Sequence, residues 1–278
     1  LKIYLANYEP TRQGGGWAWQ RSFATGFKIS SYDEADIFLI AGASMLSREE
    51  VQQAKADGKK IVLRVDNFLK NSRNRNTGMT RMKDFADWSD LIIYQSEWAK
   101  EFLSPFLGKD KKSAVILNSV DERIFNTENL TRGDSPVYLY SRYNRDESKN
   151  WPIAQYWFQK THQENPEASL YITGNFSPEL IENEFDFYAG ENIKYFGILP
   201  PENMADIYRM SDYFIYPYFM DACSNTLIEA LMCGCQIASV DFLLEGSAQE
   251  IMKKFNQDKT YFHLDRMINS YKEALNVL

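Results

Sequence analysis

The chain has 278 residues, 44% of them apolar, with 31 Lys and Arg against 38 Asp and Glu for a net charge of −7. That balance fits a soluble globular protein with room for two compact α/β domains or one large one. It argues against nucleic acid as a partner, because no basic stripe runs along the acidic chain, and no apolar run approaches the roughly 20 residues that cross a bilayer.

The charge is unevenly spread. Residues 1–130 hold nineteen basic and seventeen acidic side chains, and the rest hold twelve and twenty-one, so +2 and −9 make up the −7. Two halves with different partners would look like this.

Taken in chain order, Lys2–Leu5 reads as a first strand with no signal-peptide pattern ahead of it. Gly14-Gly15-Gly16 follows and opens a helix from Trp17, and glycines there let the backbone approach a ligand closely. Asp36–Ile40 is a second strand. Ser47 with Glu50 forms a capping box for a helix that Gly58 stops. Lys60–Val65 is a third strand, with Asp66 and Asn67 at its end. From Asn67 to Lys83 there is no acid, while Lys70, Arg73, Arg75, Arg81 and Lys83 are basic. This stretch reads as a mobile loop suited to an anionic acceptor or an anionic lipid surface. Leu91–Tyr94 and Ala114–Leu117 complete the first set of strands.

The polar stretch Asn126–Pro136 reads as an interdomain linker. Beyond it come strands Val137–Tyr140, Ser169–Thr173, Ile193–Phe196, Tyr213–Tyr216 and Gln236–Val240, with helices from Pro152, Pro178, Pro201 and Asn225. His263–Leu278 carries a helical apolar face. Strands that are apolar along their length and separated by helices mean parallel sheets covered on both sides. The expected architecture is α/β: two Rossmann-like doubly wound domains, 1–130 and 136–262, facing across a cleft where ligands bind at the carboxyl ends of the strands.

Cys223, Cys233 and Cys235 are odd in number, which suggests reduced thiols of a cytoplasmic protein. Cys233-Gly234-Cys235 lacks the spacing of a metal site, so structural roles are expected.

The stretch Tyr213–Ser239 carries the most chemistry. A buried strand enters the small polar loop Asp221–Asn225, a helix runs to Gly234, and another strand follows. The amides at that helix start would cradle an anion such as a diphosphate. Two acids with seven residues between them, then Ala-Leu-Met-Cys-Gly, resemble the E-x7-E signature of retaining GT-B glycosyltransferases, family 4 in particular. The resemblance implies Glu229 on the donor ribose and Asp221 near the transferred sugar, with Ser224, Asn225 and Thr226 also against the donor. Asp221 stands where the family has Glu, and Ser224-Asn225-Thr226 where many relatives have a glycine.

Val137–Pro152 resembles the same family's strand, Arg and Lys. This implies Arg142 and Lys149 on the donor diphosphate, with Arg145 a nearby competitor. Fixed cations and helix amides stabilise the charge of a departing diphosphate without a metal. No Asp-x-Asp strand end is present to hold one. Val115–Phe125 and Asn192–Asp212 extend the resemblance, which covers nearly all of the second half and is patchy in the first. It further implies that a Gly-rich loop (here Gly15 and Gly16) lies against donor and acceptor and that the final helix packs back on the first domain.

Gly174, after Ser169–Thr173, joins the donor-binding candidates. Asp66 is a sugar-orienting or proton-handling candidate in place of the His the family often has nearby. Trp17, Arg73 and Arg75 are acceptor candidates. The expected activity is metal- and cofactor-independent sugar transfer from a nucleotide diphosphate donor to a glycan, lipid-linked or other hydroxyl acceptor, with peripheral membrane contact as an accompanying expectation. A sugar-nucleotide 2-epimerase and a non-catalytic nucleotide-sugar-binding relative are the alternatives.

Overall fold

Every strand expected from the apolar runs is present in the computed structural model, with ends displaced by three residues at most. The structure describes residues 1–11, 15–66, 78–143, 149–175, 192–218 and 220–278. The chain divides into two compact units: residues 1–120, 221–225 and 249–278 form the first, and 121–220 with 226–248 the second. The bounds therefore depart from chain order. The short loop Asp221–Asn225 and the stretch from Gln249 onward lie with the first unit.

In the first unit, β1 (Ile3–Leu5), β2 (Ile37–Ile40), β3 (Lys60–Val65), β4 (Leu91–Tyr94) and β5 (Ser113–Val115) form one all-parallel sheet in the order β1-β2-β3-β4-β5. Registers are tight: Ile37 pairs with Lys60, Val62 with Leu91, and Ile92 with Ser113. Because β2 reads Ile-Phe-Leu-Ile, it has an apolar side chain for each face, and all four residues are buried.

One face is covered by α1 (Gly15–Gly26). The helix Leu264–Leu275 lies there too, burying Leu264, Met267, Ile268, Tyr271 and Leu275 against Ile3, Leu5, Leu39, Val62 and Ile93. Each such side chain contributes about 1.5–3 kcal/mol on burial. The opposite face is covered by α2 (Arg48–Ala56), α3 (Gly78–Trp88) and α4 (Glu97–Leu107). α2 starts where its sequence says it should: Ser47 Oγ accepts from the Glu50 amide at 3.2 Å, and the Glu50 carboxylate accepts from the Ser47 amide at 2.7 Å.

α3 corrects the sequence reading. Residues 78–83 belong to a helix and not to a mobile loop. Met82, Phe85 and Ala86 fall at helical spacing and are buried, while Lys83 pairs with Asp87 one turn on. The basic side chains hid that apolar stripe. Residues 67–77, with Lys70, Arg73 and Arg75, lie outside the described residues.

A sheet ordered β1-β2-β3-β4-β5 steps in one direction, yet α1 covers the opposite face from α2. The right-handedness of parallel crossovers explains this. After α1 the chain first returns beyond β1, where Ile29 bridges Ile3 in parallel and the Ser30 amide donates to the Ile3 carbonyl at 2.8 Å. Only then does it pass to β2. The direction of winding reverses at β1, so the crevice of this sheet lies above the carboxyl ends of β1 and β2.

In the second unit, β6 (Val137–Tyr143), β7 (Ser169–Gly174), β8 (Ile193–Gly197), β9 (Tyr213–Ile215) and β10 (Gln236–Ala238) are ordered β10-β9-β6-β7-β8. The reversal falls between β6 and β9. Helices α5 (Trp151–Glu164), α6 (Pro201–Met210) and α7 (Asn225–Met232) connect these strands. Next come α8 (Ser247–Gln257) and α9, the helix Leu264–Leu275 already described in the first unit. The helix expected from Pro178 lies outside the described residues. Among those described, no helix is long and apolar enough to cross a membrane.

Candidate functional site

The second sheet's reversal point gathers the conspicuous polar side chains of its unit. β6 runs on past Tyr140 through a bulge, and Arg142 takes a left-handed φ of 64° there. For an arginine this backbone costs on the order of 1–2 kcal/mol. The close approach of β7 enforces it: Tyr143 pairs with Gly174, whose φ is 141°, and a Cβ on Gly174 would lie 2.4 Å from both the Tyr143 nitrogen and oxygen. The structural role visible at Gly174 is thus strand-to-strand contact beneath Arg142.

Lys149 is fixed from both ends. Its carbonyl accepts from the Tyr140 hydroxyl at 3.0 Å, and its ammonium stands 4.8 Å above the Tyr218 ring. Tyr218, just beyond β9, donates its hydroxyl proton to the Ser141 carbonyl at 2.6 Å. Asn150, left-handed at φ 49°, precedes α5 and donates to the Pro217 carbonyl at 2.7 Å. The segments after β6 and after β9 are therefore stitched together.

Glu229 projects from α7, one turn beyond the buried Thr226. Its carboxylate accepts from the Tyr208 hydroxyl of α6 at 3.1 Å. Removal from water raises the Glu229 pKa above the ordinary carboxylate value, and the Arg142 charge and the Tyr208 hydrogen bond work against that rise. Burial, then the Glu229 charge, pushes the Tyr208 phenol well up, so Tyr208 remains a neutral donor. The structure thus brings Arg142, Glu229, Tyr208, Tyr218 and Lys149 into one cluster at the carboxyl edge of β6 and β9.

The first unit has its own polar edge at its reversal point. Asn7, left-handed after β1, donates to the Met45 carbonyl at 2.7 Å, and Gln20 of α1 donates to the Ala6 carbonyl at 3.0 Å. Gly16 lies against Met45, whose sulfur would be 3.2 Å from an added Cβ. Gly15 opens α1, and Trp17 is half-buried on its first turn. Asp66, at the end of β3, lays its carboxylate on Gly42, where a Cβ would come within 2.4 Å of it.

The loop Asp221–Asn225 also belongs to this unit. Asp221 accepts from the Cys223 amide at 3.2 Å, Ser224 is buried, and the left-handed Met220 leads into the loop. Asp221 and Asp66 are half-buried. Arg145, Arg73, Arg75, Gly14 and Asn67 lie outside the described residues.

Five residues that sequence reasoning passed over belong to these edges: Tyr208 and Tyr218 in the second unit, and Arg64, Gln95 and Asn118 in the first. Arg64 had a visible signal, a charge within the otherwise apolar Ile61–Val65. Tyr218 and Asn118 follow strands, where side chains reach the carboxyl edge.

Solved structures share this architecture. Sucrose-phosphate synthase of Thermosynechococcus elongatus matches with TM-score 0.59 at 14% identity, over 88% of this chain and 69% of its own. HepE of Anabaena in complex with UDP matches with TM-score 0.65 at 12% identity, over 93% and 82%. The pneumococcal O-GlcNAc transferase GtfA in complex with UDP and GlcNAc matches with TM-score 0.64 at 14% identity, over 86% of this chain and 56% of its own. No curated protein sequence matches. The fold is that of the GT-B glycosyltransferases, α/β with two parallel sheets. Residues 138–266 match the model of the glycosyl transferases group 1 family.

Proposed function

We propose that the chain is a retaining glycosyltransferase that moves a sugar from a nucleotide diphosphate donor to a hydroxyl acceptor without a metal. The observation that carries this reading is the cluster of Arg142, Lys149 and Glu229 at the reversal point of the second sheet, within the stretch matching the group 1 family. Arg142 and Lys149 grip the diphosphate, and Glu229 accepts from the ribose hydroxyls. Ser224, Asn225 and Thr226, with Gly15 and Gly16, lie against the donor.

In the reaction the bond from the anomeric carbon to the diphosphate oxygen breaks, and the acceptor oxygen bonds to that carbon on the same face. The acceptor's proton passes to the departing phosphate oxygen. Fixed cations meet the growing negative charge with no reorganisation, which is where such sites gain most of their rate. Asp221 orients the transferred sugar, and Asp66 and Trp17 serve the acceptor side. The acceptor is a glycan or lipid-linked hydroxyl, reached with peripheral membrane contact. The three cysteines are free and buried, which supports a reducing, cytoplasmic setting. HepE and GtfA hold UDP, so UDP is the first nucleotide to try.

The test is calorimetry of the wild-type chain against UDP and other nucleoside diphosphates, with and without EDTA. Donor turnover is then followed in Glu229→Ala and Lys149→Ala. Micromolar binding insensitive to EDTA is expected, weakened at least about tenfold by either substitution, as befits loss of a charge-assisted contact. Binding and turnover unchanged in both variants would falsify the site.

A further inference from the structure

Four of the residues holding the Asp221–Asn225 loop lie on the first unit's own strands or just beyond them. Asn118, 3% exposed after β5, donates through its side-chain amide to the Cys223 carbonyl at 3.0 Å, to Asn225 Oδ1 at 2.7 Å and to Gln95 Oε1 at 2.7 Å. Its backbone amide donates to Cys223 Sγ at 3.4 Å. Ser96 Oγ, at the start of α4, donates to the Ala222 carbonyl at 2.7 Å.

Behind Asn118 stands Arg64, also 3% exposed. It donates to Asn118 Oδ1 at 3.0 Å, Gln95 Oε1 at 2.6 Å and the Ala41 carbonyl at 3.0 Å, with the Trp19 ring 4.4 Å from its guanidinium. Gln95 in turn donates to the Val65 carbonyl at 2.8 Å. The Arg64 charge and the Gln95 amide together fix which way the Asn118 amide faces: its oxygen to Arg64, its two hydrogens shared among Gln95 Oε1 and the loop acceptors.

Stability alone does not account for this arrangement. Buried polar and charged networks are commonly no more stable than apolar packing of the same volume. What apolar side chains lack is direction. Here the direction is spent on a five-residue loop that carries Asp221 and leads straight into α7.

We propose that Asn118 is a positioning residue for sugar transfer, holding the Asp221–Asn225 loop through a chain of hydrogen bonds anchored on Arg64. The proposal rests on the glycosyltransferase reading. Displacing a catalytic group by about 1 Å costs on the order of a hundredfold in rate, and the loop's carbonyls and side chains would be freed to move by that much.

The test uses the full chain with Asn118→Ala and Asn118→Asp. The aspartate still accepts from Arg64, now as an ion pair, so Arg64 keeps that partner, but it cannot donate to the Cys223 carbonyl, Asn225 Oδ1 or Gln95 Oε1 and sets an anionic oxygen against them. Both variants are expected to lose less UDP affinity than the roughly tenfold of Lys149→Ala, because the Arg142–Lys149–Glu229 cluster is untouched and only the Ser224–Asn225 contacts loosen, while kcat falls about a hundredfold. Hydrogen exchange at the 222–225 amides is expected to accelerate in both. An Asn118→Asp chain of native melting temperature with kcat within threefold of wild type overturns the proposal. So does unchanged exchange at 222–225, whatever the activity. Wild-type protein that binds no nucleoside diphosphate would instead sink the glycosyltransferase reading, and the exchange measurement would still decide the role of Asn118.

Discussion

Gly174→Ala is the sharpest test of how the second unit shapes its polar edge. The new methyl would sit 2.4 Å from the Tyr143 nitrogen and oxygen and 2.8 Å from its Cα, all backbone atoms that no side-chain rotation can clear. Holding an alanine at φ 141° costs about 1–3 kcal/mol. Moving β7 away from β6 to relieve the clash would break the bond from the Asn175 amide to the Tyr143 carbonyl, now 2.9 Å, worth about 1 kcal/mol. The sum is about 2–4 kcal/mol, which lowers the melting temperature of a domain this size by roughly 8–16 °C. Gly58→Ala is the control. Its φ of 76° is also left-handed, but a Cβ there meets nothing within 4 Å, so only the backbone term of about 1 kcal/mol remains. Calorimetric melting of the two variants, with UDP titration of each, is the assay. Gly174→Ala should also weaken UDP, since Arg142 adjoins the displaced Tyr143. A Gly174→Ala chain that melts within 2 °C of Gly58→Ala would refute the close contact, and with it the account of why Arg142 adopts its conformation.

Three further outcomes follow from local chemistry. Burial raises the Glu229 pKa, so the folded state prefers the protonated acid, and the stabilisation it brings is complete below the unfolded value and lost as pH rises through the folded one. Urea denaturation should therefore show wild type gaining stability relative to Glu229→Gln as pH falls from 7 towards 4.5; a pH-independent difference would contradict this. Burial pushes the thiols of Cys223 and Cys233 up to about 12 and that of Cys235 higher still, so iodoacetamide at pH 8 should label none of the three in the native chain and all three in urea. One fast native thiol would show that its surroundings are open. Ser47→Ala removes the capping box of α2 and should cost about 1 kcal/mol by chemical denaturation, with UDP affinity unchanged.

The strands were legible because burial on both faces leaves an unbroken apolar run, as in Ile37–Ile40 and Lys60–Val65. The start of α2 was legible because a capping box is a local code. The candidates Arg142, Lys149 and Glu229 could be named from the family resemblance of two continuous stretches, Val137–Pro152 and Tyr213–Ser239. The network around Asn118 could not. Its bonds join residues separated by 23, 54, 105 and 107 positions, and no periodicity records such pairings. Nor could the bridge at Ile29, where a single residue does what a strand would otherwise do. α3 was missed because Arg81 and Lys83 interleave with apolar residues at helical spacing, and a count of charges does not see the buried stripe of Met82, Phe85 and Ala86.

The first unit draws on three separated pieces of chain, and its core is finished by Leu264, Met267, Ile268, Tyr271 and Leu275 of α9. During synthesis that core stays open while more than a hundred intervening residues are made, so it cannot be finished before the second unit has been synthesised. The second unit's sheet is complete at β10, before α9 has emerged from the ribosome. A chain cut after residue 130 would leave Trp19, Phe23 and the apolar face of β1 to β5 uncovered and prone to aggregate.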